Sequence, residues 1–189
     1  RHDGAARVQI SLEPFAALAP VSPVASDAPL AQLREPLSAG QIAGCMAAFG
    51  GDTFQAISRQ GRPVLGTYVR GPGPAGFISG AQHANETSGV VGALRAAQTL
   101  AARGDAHFAL IAAENPDGYA LFNRLREHHP RHMLHASRYS ALGDDIAYRE
   151  RAPFFEREGR HQAHAISGAQ LHINIRGYPA HEWTRALSG

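Results

Sequence analysis

The sequence has few of the features that mark several large protein classes. It contains one cysteine in 189 residues, so neither an internal disulfide nor a cysteine-rich metal site can form. No apolar run approaches the roughly 18 residues that a membrane-spanning helix needs. Lysine and arginine number 18 against 16 aspartate and glutamate residues, and the formal net charge is only +2. We therefore predict no nucleic-acid partner and no membrane partner.

The chain does contain enough apolar sequence to bury a core. Apolar residues make up 44% and charged residues 18%, which is typical of a folded chain rather than a disordered one. Residues 1–37 are rich in alanine and proline, which predicts an irregular N-terminal lead-in. Residues 38–189 form the single predicted domain. Cys45 lies in an apolar stretch, where burial is the ordinary expectation.

Hydrophobic spacing predicts a helix and a hairpin after the lead-in. Ser38 precedes apolar residues at helical spacing, and the pair Gly50-Gly51 ends the pattern. The residues at 54–58 and 64–69 then predict two strands joined by a tight turn.

The middle of the chain carries a strand–helix–strand pattern. Apolar runs at 75–79 and 108–113 enclose a helical pattern at 87–103, and such a unit places its two strands parallel with a right-handed crossover. An alternating run at 170–175 predicts a later strand. The predicted fold class is α/β, with a mixed, largely parallel sheet flanked by helices, and we expect this sheet to be incomplete.

Three polar loops follow predicted strands. They read GAQHANETSG (80–89), AENPDGY (113–119) and IRGYPAHEW (175–183). Open α/β sheets bind their ligands at the carboxyl ends of strands. The sequence therefore predicts that the three loops meet at one site.

The first loop offers a pair of metal-competent side chains. His83 and Glu86 are three residues apart, where a strand gives way to a helix. An imidazole and a carboxylate at this spacing can bind one Zn²⁺ from the same side, which leaves room for a distant third ligand and a water. An ordinary structural role is also open, because Glu86 suits a helix N-terminus and His83 can hydrogen-bond locally.

The loop with His83 and Glu86, followed by a strand that ends in NPDGY, resembles the zinc carboxypeptidase family of metallopeptidases. The resemblance runs from about residue 75 to the end of the chain. It implies that His83 and Glu86 are zinc ligands, as in the His₂Glu site of carboxypeptidase A. It also implies Zn²⁺ as the cofactor, a peptide or small amide as the substrate, and peptide or amide hydrolysis as the reaction.

The resemblance also implies roles for arginines that follow the NPDG turn. Family arginines polarise the scissile carbonyl and hold the terminal carboxylate of the substrate, because a guanidinium fork matches an oxyanion and stays charged. Arg138 is the predicted carbonyl-polarising residue, with Arg126 as the alternative. The segment 141–149 resembles the D-x-N-R element, so Arg149 is the predicted carboxylate anchor, with Tyr148 where an asparagine is usual.

The chain departs from the family pattern at the third zinc ligand. Arg176 stands where the family has a histidine, and a protonated guanidinium is a poor ligand. His172 lies on the same predicted strand face, about 13 Å away along an extended chain. His181 lies in the following loop. The third ligand therefore stays open between His172 and His181.

A second departure concerns the general base. The family glutamate lies on a strand well beyond the third ligand, whereas the only acidic side chain after Arg176 is Glu182, in a predicted loop. We therefore expect a chain truncated before the catalytic glutamate, with impaired hydrolysis. Two alternatives remain: a zinc deacylase of the aspartoacylase type, suggested by the His-x-Asn-Glu pattern at 83–86, and a non-catalytic peptide-binding relative.

Overall fold

A computed structural model describes residues 20–130 and 132–177. His181 and Glu182 lie outside the described residues. The strands are β1 (Asp52–Ile57), β2 (Pro63–Val69), β3 (Gly76–Gly80), β4 (Phe108–Ile111) and β5 (Leu171–Ile175). The α-helices are α1 (Ala39–Ala47), α2 (Thr87–Ala101), α3 (Pro116–His128) and α4 (Glu158–Ser167). Short 3₁₀ turns occupy Leu30–Gln32, His135–Arg138, Ile146–Tyr148 and Phe155–Arg157.

The five strands form one mixed sheet in the order β1-β2-β4-β3-β5. β2 is antiparallel to both β1 and β4, whereas β3 is parallel to both β4 and β5. The predicted α/β class with a mixed sheet flanked by helices is confirmed. Because β3, β4 and β5 run in the same direction, the loops that follow them leave from the same edge of the sheet.

Helices cover both faces of the sheet. α1 and α2 pack on one face, where the apolar stripe of α2 (Val90, Leu94 and Ala97) is fully buried at the predicted helical spacing. α4 packs on the other face, over a cluster that contains Phe77 and Ile111. Each fully buried large apolar side chain contributes about 1.5–3 kcal/mol to the stability of this arrangement. Within the described ranges, no helix is long and apolar enough to cross a membrane.

α1 begins after Ser38 as predicted, and Ser38 forms a capping box with Gln41. The Ser38 hydroxyl accepts a hydrogen bond from the Gln41 backbone amide, and the Gln41 side chain accepts one from the Ser38 amide. The described part of the lead-in packs on α1, where the Val24 amide donates to the Gly40 carbonyl at 2.9 Å. The domain boundary at residue 37 stays a prediction. Cys45 is half-buried against the core, and its burial raises the pKa of the thiol.

Candidate functional site

The loops after β3 and β4 are joined through their backbones. The amides of Glu114 and Asn115 donate to the carbonyls of Gly80 and Ala81 at 3.0 and 3.2 Å. A Cβ atom at Gly80 would lie 2.9 Å from the carbonyl oxygen of Ala112, which follows β4, so glycine permits this close approach. The two loops therefore meet as the sequence predicts.

His83 and Glu86 lie together at this edge of the sheet. Their side chains are almost fully buried, and His83 Nδ1 lies 2.8 Å from Glu86 Oε1. The other ring nitrogen, Nε2, lies 2.6 Å from Asp145 Oδ2. Asp145 Oδ1 accepts a hydrogen bond from Gln82 Nε2 at 2.8 Å, which orients the carboxylate. A tautomer with its proton on Nε2 donates to Asp145 and directs the Nδ1 lone pair at the site.

Sequence reasoning did not identify Asp145 as a site residue. The signal was present, because Asp145 lies in the 141–149 segment that resembles a family element. The resemblance in that segment predicts a role only for Arg149, and the partner of Asp145 is 62 positions away in sequence.

Arg176 lies directly against the pair. Its Nε donates to Glu86 Oε2 at 3.0 Å and its Nη2 donates to Glu86 Oε1 at 3.1 Å. The same Nη2 contacts His83 Nδ1. The backbone amide of Gly177 also donates to Glu86 Oε2, at 3.3 Å. The residue at the predicted third-ligand position therefore reaches both predicted ligands, with a guanidinium in contact with them.

These contacts set the charge state of the two acids. Burial would raise the pKa of Glu86, but the contacts with His83, Arg176 and the Gly177 amide outweigh it and lower the pKa. Burial would likewise raise the pKa of Asp145, but the Ala147 amide and the contact with His83 lower it. Both carboxylates are therefore anionic at neutral pH.

The donor set in the described part of the chain does not fit a zinc ion. Zinc sites of this class need three protein ligands, and no group of three or more His, Cys, Asp or Glu side chains suited to a metal occurs in residues 20–130 and 132–177. Asp145 contacts the ring nitrogen of His83 that faces away from Glu86, so it cannot complete the set. Both Glu86 oxygens accept hydrogen bonds from Arg176.

The predicted third-ligand candidate His172 lies elsewhere. Its Nε2 lies 2.7 Å from Ser79 Oγ, and its ring stacks on Phe77 with centroids 4.1 Å apart. His172 therefore links β5 to β3 behind the site. His181, the other candidate, lies outside the described residues.

Arg138 is brought to the site. Its Nη1 lies 3.5 Å from Glu86 Oε1 and its Nη2 lies 3.9 Å from Asp145 Oδ2, so it pairs with both carboxylates without a short hydrogen bond to either. Its side chain is 30% exposed and can meet a ligand. The alternative, Arg126, pairs with Glu35 instead.

The NPDG turn positions Arg138 indirectly. Asn115 caps α3 by accepting a hydrogen bond from the Gly118 amide at 2.9 Å. Its side-chain amide donates to the carbonyls of Arg138 and Tyr139 at 3.4 and 3.1 Å. Asp117 bonds to the β1–β2 turn rather than to the site.

Arg149 has internal partners in place of the substrate carboxylate that the resemblance implies. Its Nε and Nη2 donate to Asp144, its Nη1 donates to Glu156 and to the Phe154 carbonyl, and its Nη2 also donates to Ser140. These bonds use all five guanidinium N–H groups. The hydrogen bond with Asp144, together with Glu156, raises the pKa of Arg149. In this arrangement the residue holds the 140–156 segment together and has no donor left for substrate.

A second polar network lies next to the loop that carries His83. The sequence does not predict it. Arg160 of α4 forms a two-point ion pair with the buried Glu114, at 2.7 and 2.6 Å. Its Nη2 also donates to Gln82 Oε1 at 2.8 Å, and Asn174 Nδ2 donates to Glu114 Oε2 at 3.2 Å. The network ties α4 and β5 to the loop that carries His83.

Acidification is expected to weaken the fold through His172. Burial, with Arg160 and His164 nearby, lowers the pKa of His172 from 6.5 to about 4, against an opposing effect of Glu114. The unfolded chain therefore binds this proton first, so the stabilisation is complete above about pH 6.5 and is lost as the pH falls towards 4. Allowing for partial exposure, we expect a loss of about 1–2 kcal/mol.

Urea unfolding at about pH 7 and pH 4.5 measures this loss. In a His172→Gln variant, which keeps a hydrogen-bonding group near Ser79, the acid-induced loss should shrink by that amount. An equal loss in both proteins would show that other groups cause it.

The protein is similar in fold to solved metallo-carboxypeptidases. It matches the metallo-carboxypeptidase from Burkholderia cenocepacia with a TM-score of 0.57 at 17% identity, over 76% of this chain and 42% of that one. It matches a protein assigned as a carboxypeptidase from Burkholderia mallei with a TM-score of 0.53 at 18% identity, over 76% of this chain and 40% of that one.

A protein assigned as carboxypeptidase A from Shewanella denitrificans matches with a TM-score of 0.52 at 16% identity, over 76% of this chain and 40% of that one. The chain thus spans about two fifths of the length of these structures. No protein-family model matches the sequence, and no curated protein sequence matches it. The likeness shows that the chain has the carboxypeptidase-like fold.

Proposed function

We propose that this protein is a metallocarboxypeptidase-type hydrolase of peptide or amide bonds whose activity is impaired in this chain. One observation carries the proposal: His83, Glu86 and Arg138 converge at the carboxyl edge of the sheet, in a carboxypeptidase-like fold. In such enzymes a zinc ion polarises the carbonyl and activates water. The resemblance assigns His83 and Glu86 to two of its ligand positions.

Arg138 is the residue proposed to contact substrate. Its guanidinium is partly exposed and lies near two anionic carboxylates that hold it in place. A guanidinium in this position can donate to the oxygen of a scissile carbonyl or of a terminal carboxylate. Arg149, with its donors used internally, contributes by holding the neighbouring segment.

The proposed impairment of hydrolysis rests on the arginine at position 176. The guanidinium there contacts both proposed zinc ligands and supplies no lone pair to a metal. The same contact favours the second candidate, a non-catalytic domain that binds peptide ends. The deacylase alternative keeps its His-x-Asn-Glu pattern, but NPDG and its link to Arg138 favour the peptidase type.

Arg138→Ala is expected to weaken peptide binding. Losing a charge-assisted hydrogen bond costs about 1.5–3 kcal/mol, so the Kd for a short peptide with a free C-terminus should rise about 10- to 100-fold. Titration calorimetry with this peptide measures the change, and peptide cleavage is followed in the same samples.

The matched control is Arg70→Ala, because Arg70 is 73% exposed and pairs at 3.8 Å with an exposed aspartate on the β1–β2 hairpin. It should bind as the native chain does. Equal binding by the native and Arg138→Ala proteins would contradict the assigned role. Failure of the native chain to bind any peptide would contradict the proposed function.

A further inference from the structure

We infer that the guanidinium of Arg176 takes the place of the metal ion in this chain, so that His83 and Glu86 are held by an internal cation and the native protein does not retain zinc. The inference concerns what occupies the site. It does not depend on which substrate the protein acts on.

The first argument is geometric. Zinc would need the Nδ1 lone pair of His83 and an oxygen of Glu86. In the structure these acceptors face one guanidinium, because Arg176 contacts Nδ1 and donates to Oε1 and Oε2 of the carboxylate. A planar fork that meets a carboxylate at two points is a strong charge-assisted arrangement. The guanidinium therefore lies where a shared metal would have to bind.

The second argument is charge. Glu86 and Asp145 supply two negative charges, and Arg176 and Arg138 supply two positive charges within 4 Å of them. The group is balanced without a metal. Adding Zn²⁺ beside Arg176 would place a divalent cation against a guanidinium, next to the almost fully buried His83 and Glu86, which is unfavourable while Arg176 keeps this position.

The third argument is the path of the backbone. The amide of Gly177 donates to Glu86, and a Cβ atom at Gly177 would lie 2.1 Å from Ser88 Oγ, so glycine lets the chain run against the start of α2. Position 176 is therefore next to Glu86 through its main chain, whatever side chain it carries. A shorter side chain such as histidine can reach the pair from the same position.

The test compares the native protein with Arg176→His and Arg176→Ala. Each is dialysed against zinc chloride, freed of excess metal, and analysed for zinc by inductively coupled plasma mass spectrometry. We expect less than about 0.1 zinc per chain for the native protein and Arg176→Ala, and about one for Arg176→His, because among the three side chains at position 176 histidine is the one that can bind a metal. A His83→Ala change in the Arg176→His background should abolish the gain.

Thermal unfolding gives a second readout that needs no activity. Zinc should leave the Tm of the native chain unchanged and raise that of Arg176→His by about 5–10 °C. Arg176→Ala should lower the Tm in the absence of metal by about 3–8 °C, because Glu86 loses its closest cation.

Two outcomes would overturn the inference. One is a native chain that retains about one zinc, lost in His83→Ala. The other is a folded Arg176→His protein that binds no more zinc than Arg176→Ala. Either result leaves the peptide-binding test of Arg138 unaffected, so failure here is distinguishable from failure of the proposed function.

Discussion

Replacing Glu156 with alanine is expected to lower the free energy of unfolding by about 3–5 kcal/mol. The Glu156 side chain is fully buried and accepts hydrogen bonds from Arg149 Nη1 at 2.6 Å and from the Arg59 amide at 3.0 Å. Removing it takes away one of the two carboxylates that pair with the buried Arg149 guanidinium, leaves an empty space, and frees an amide of the β1–β2 turn. Removing a partner of a buried charge is among the costliest single changes in a fold.

Urea denaturation followed by circular dichroism measures the loss. Asp105→Ala is the matched control, because Asp105 also pairs with an arginine but both side chains are more than 60% exposed. Exposed pairs contribute at most about 1 kcal/mol. If the two variants lost similar stability, the Arg149 cluster would not act as a buried structural unit.

Asp117→Ala is expected to cost about 3 kcal/mol, the second largest loss. Its buried carboxylate accepts hydrogen bonds from Ser58 Oγ at 2.7 Å, the Gln60 amide at 2.9 Å and Arg62 Nη1 at 3.0 Å. It therefore fastens the start of α3 to the β1–β2 turn, and its charge also suits a helix N-terminus.

The Asp117→Asn variant shows whether the charge of Asp117 or its hydrogen bonds contribute more to stability. It keeps the shape and one accepting oxygen but removes the charge, so denaturant unfolding should show about half the loss of the alanine variant. A stability equal to that of the native chain for Asp117→Ala would mean that the turn and α3 hold their positions independently.

The parts of the fold that local sequence could predict are those whose pattern repeats over a few residues. The strand–helix–strand unit lies at Gly76–Gly80, Thr87–Ala101 and Phe108–Ile111, close to its predicted bounds, and its two strands are parallel. The strand order β1-β2-β4-β3-β5 could not be read in this way, because pairing partners distant in sequence leave no periodic signal.

The residues of the candidate site also divide into those whose proximity the local sequence predicts and those whose proximity it does not. His83 and Glu86 are three positions apart, and their proximity follows from one turn of chain. Asp145 and Arg176 join them from 62 and 93 positions away, and only the folded sheet brings them in. For Arg149 the resemblance implied the binding of a substrate carboxylate, but the sequence could not show that Asp144 and Glu156 accept its hydrogen bonds in place of a ligand.

The pairing of β5 with β3 has a kinetic consequence. Ser79 meets His172 across 93 positions, the same separation that brings Arg176 to His83. Closing a loop of this length is entropically costly, so we expect the pairing to form after the local hairpin and the strand–helix–strand unit. Arg176 directly follows β5, so it reaches His83 and Glu86 only in molecules in which β5 has already paired with β3.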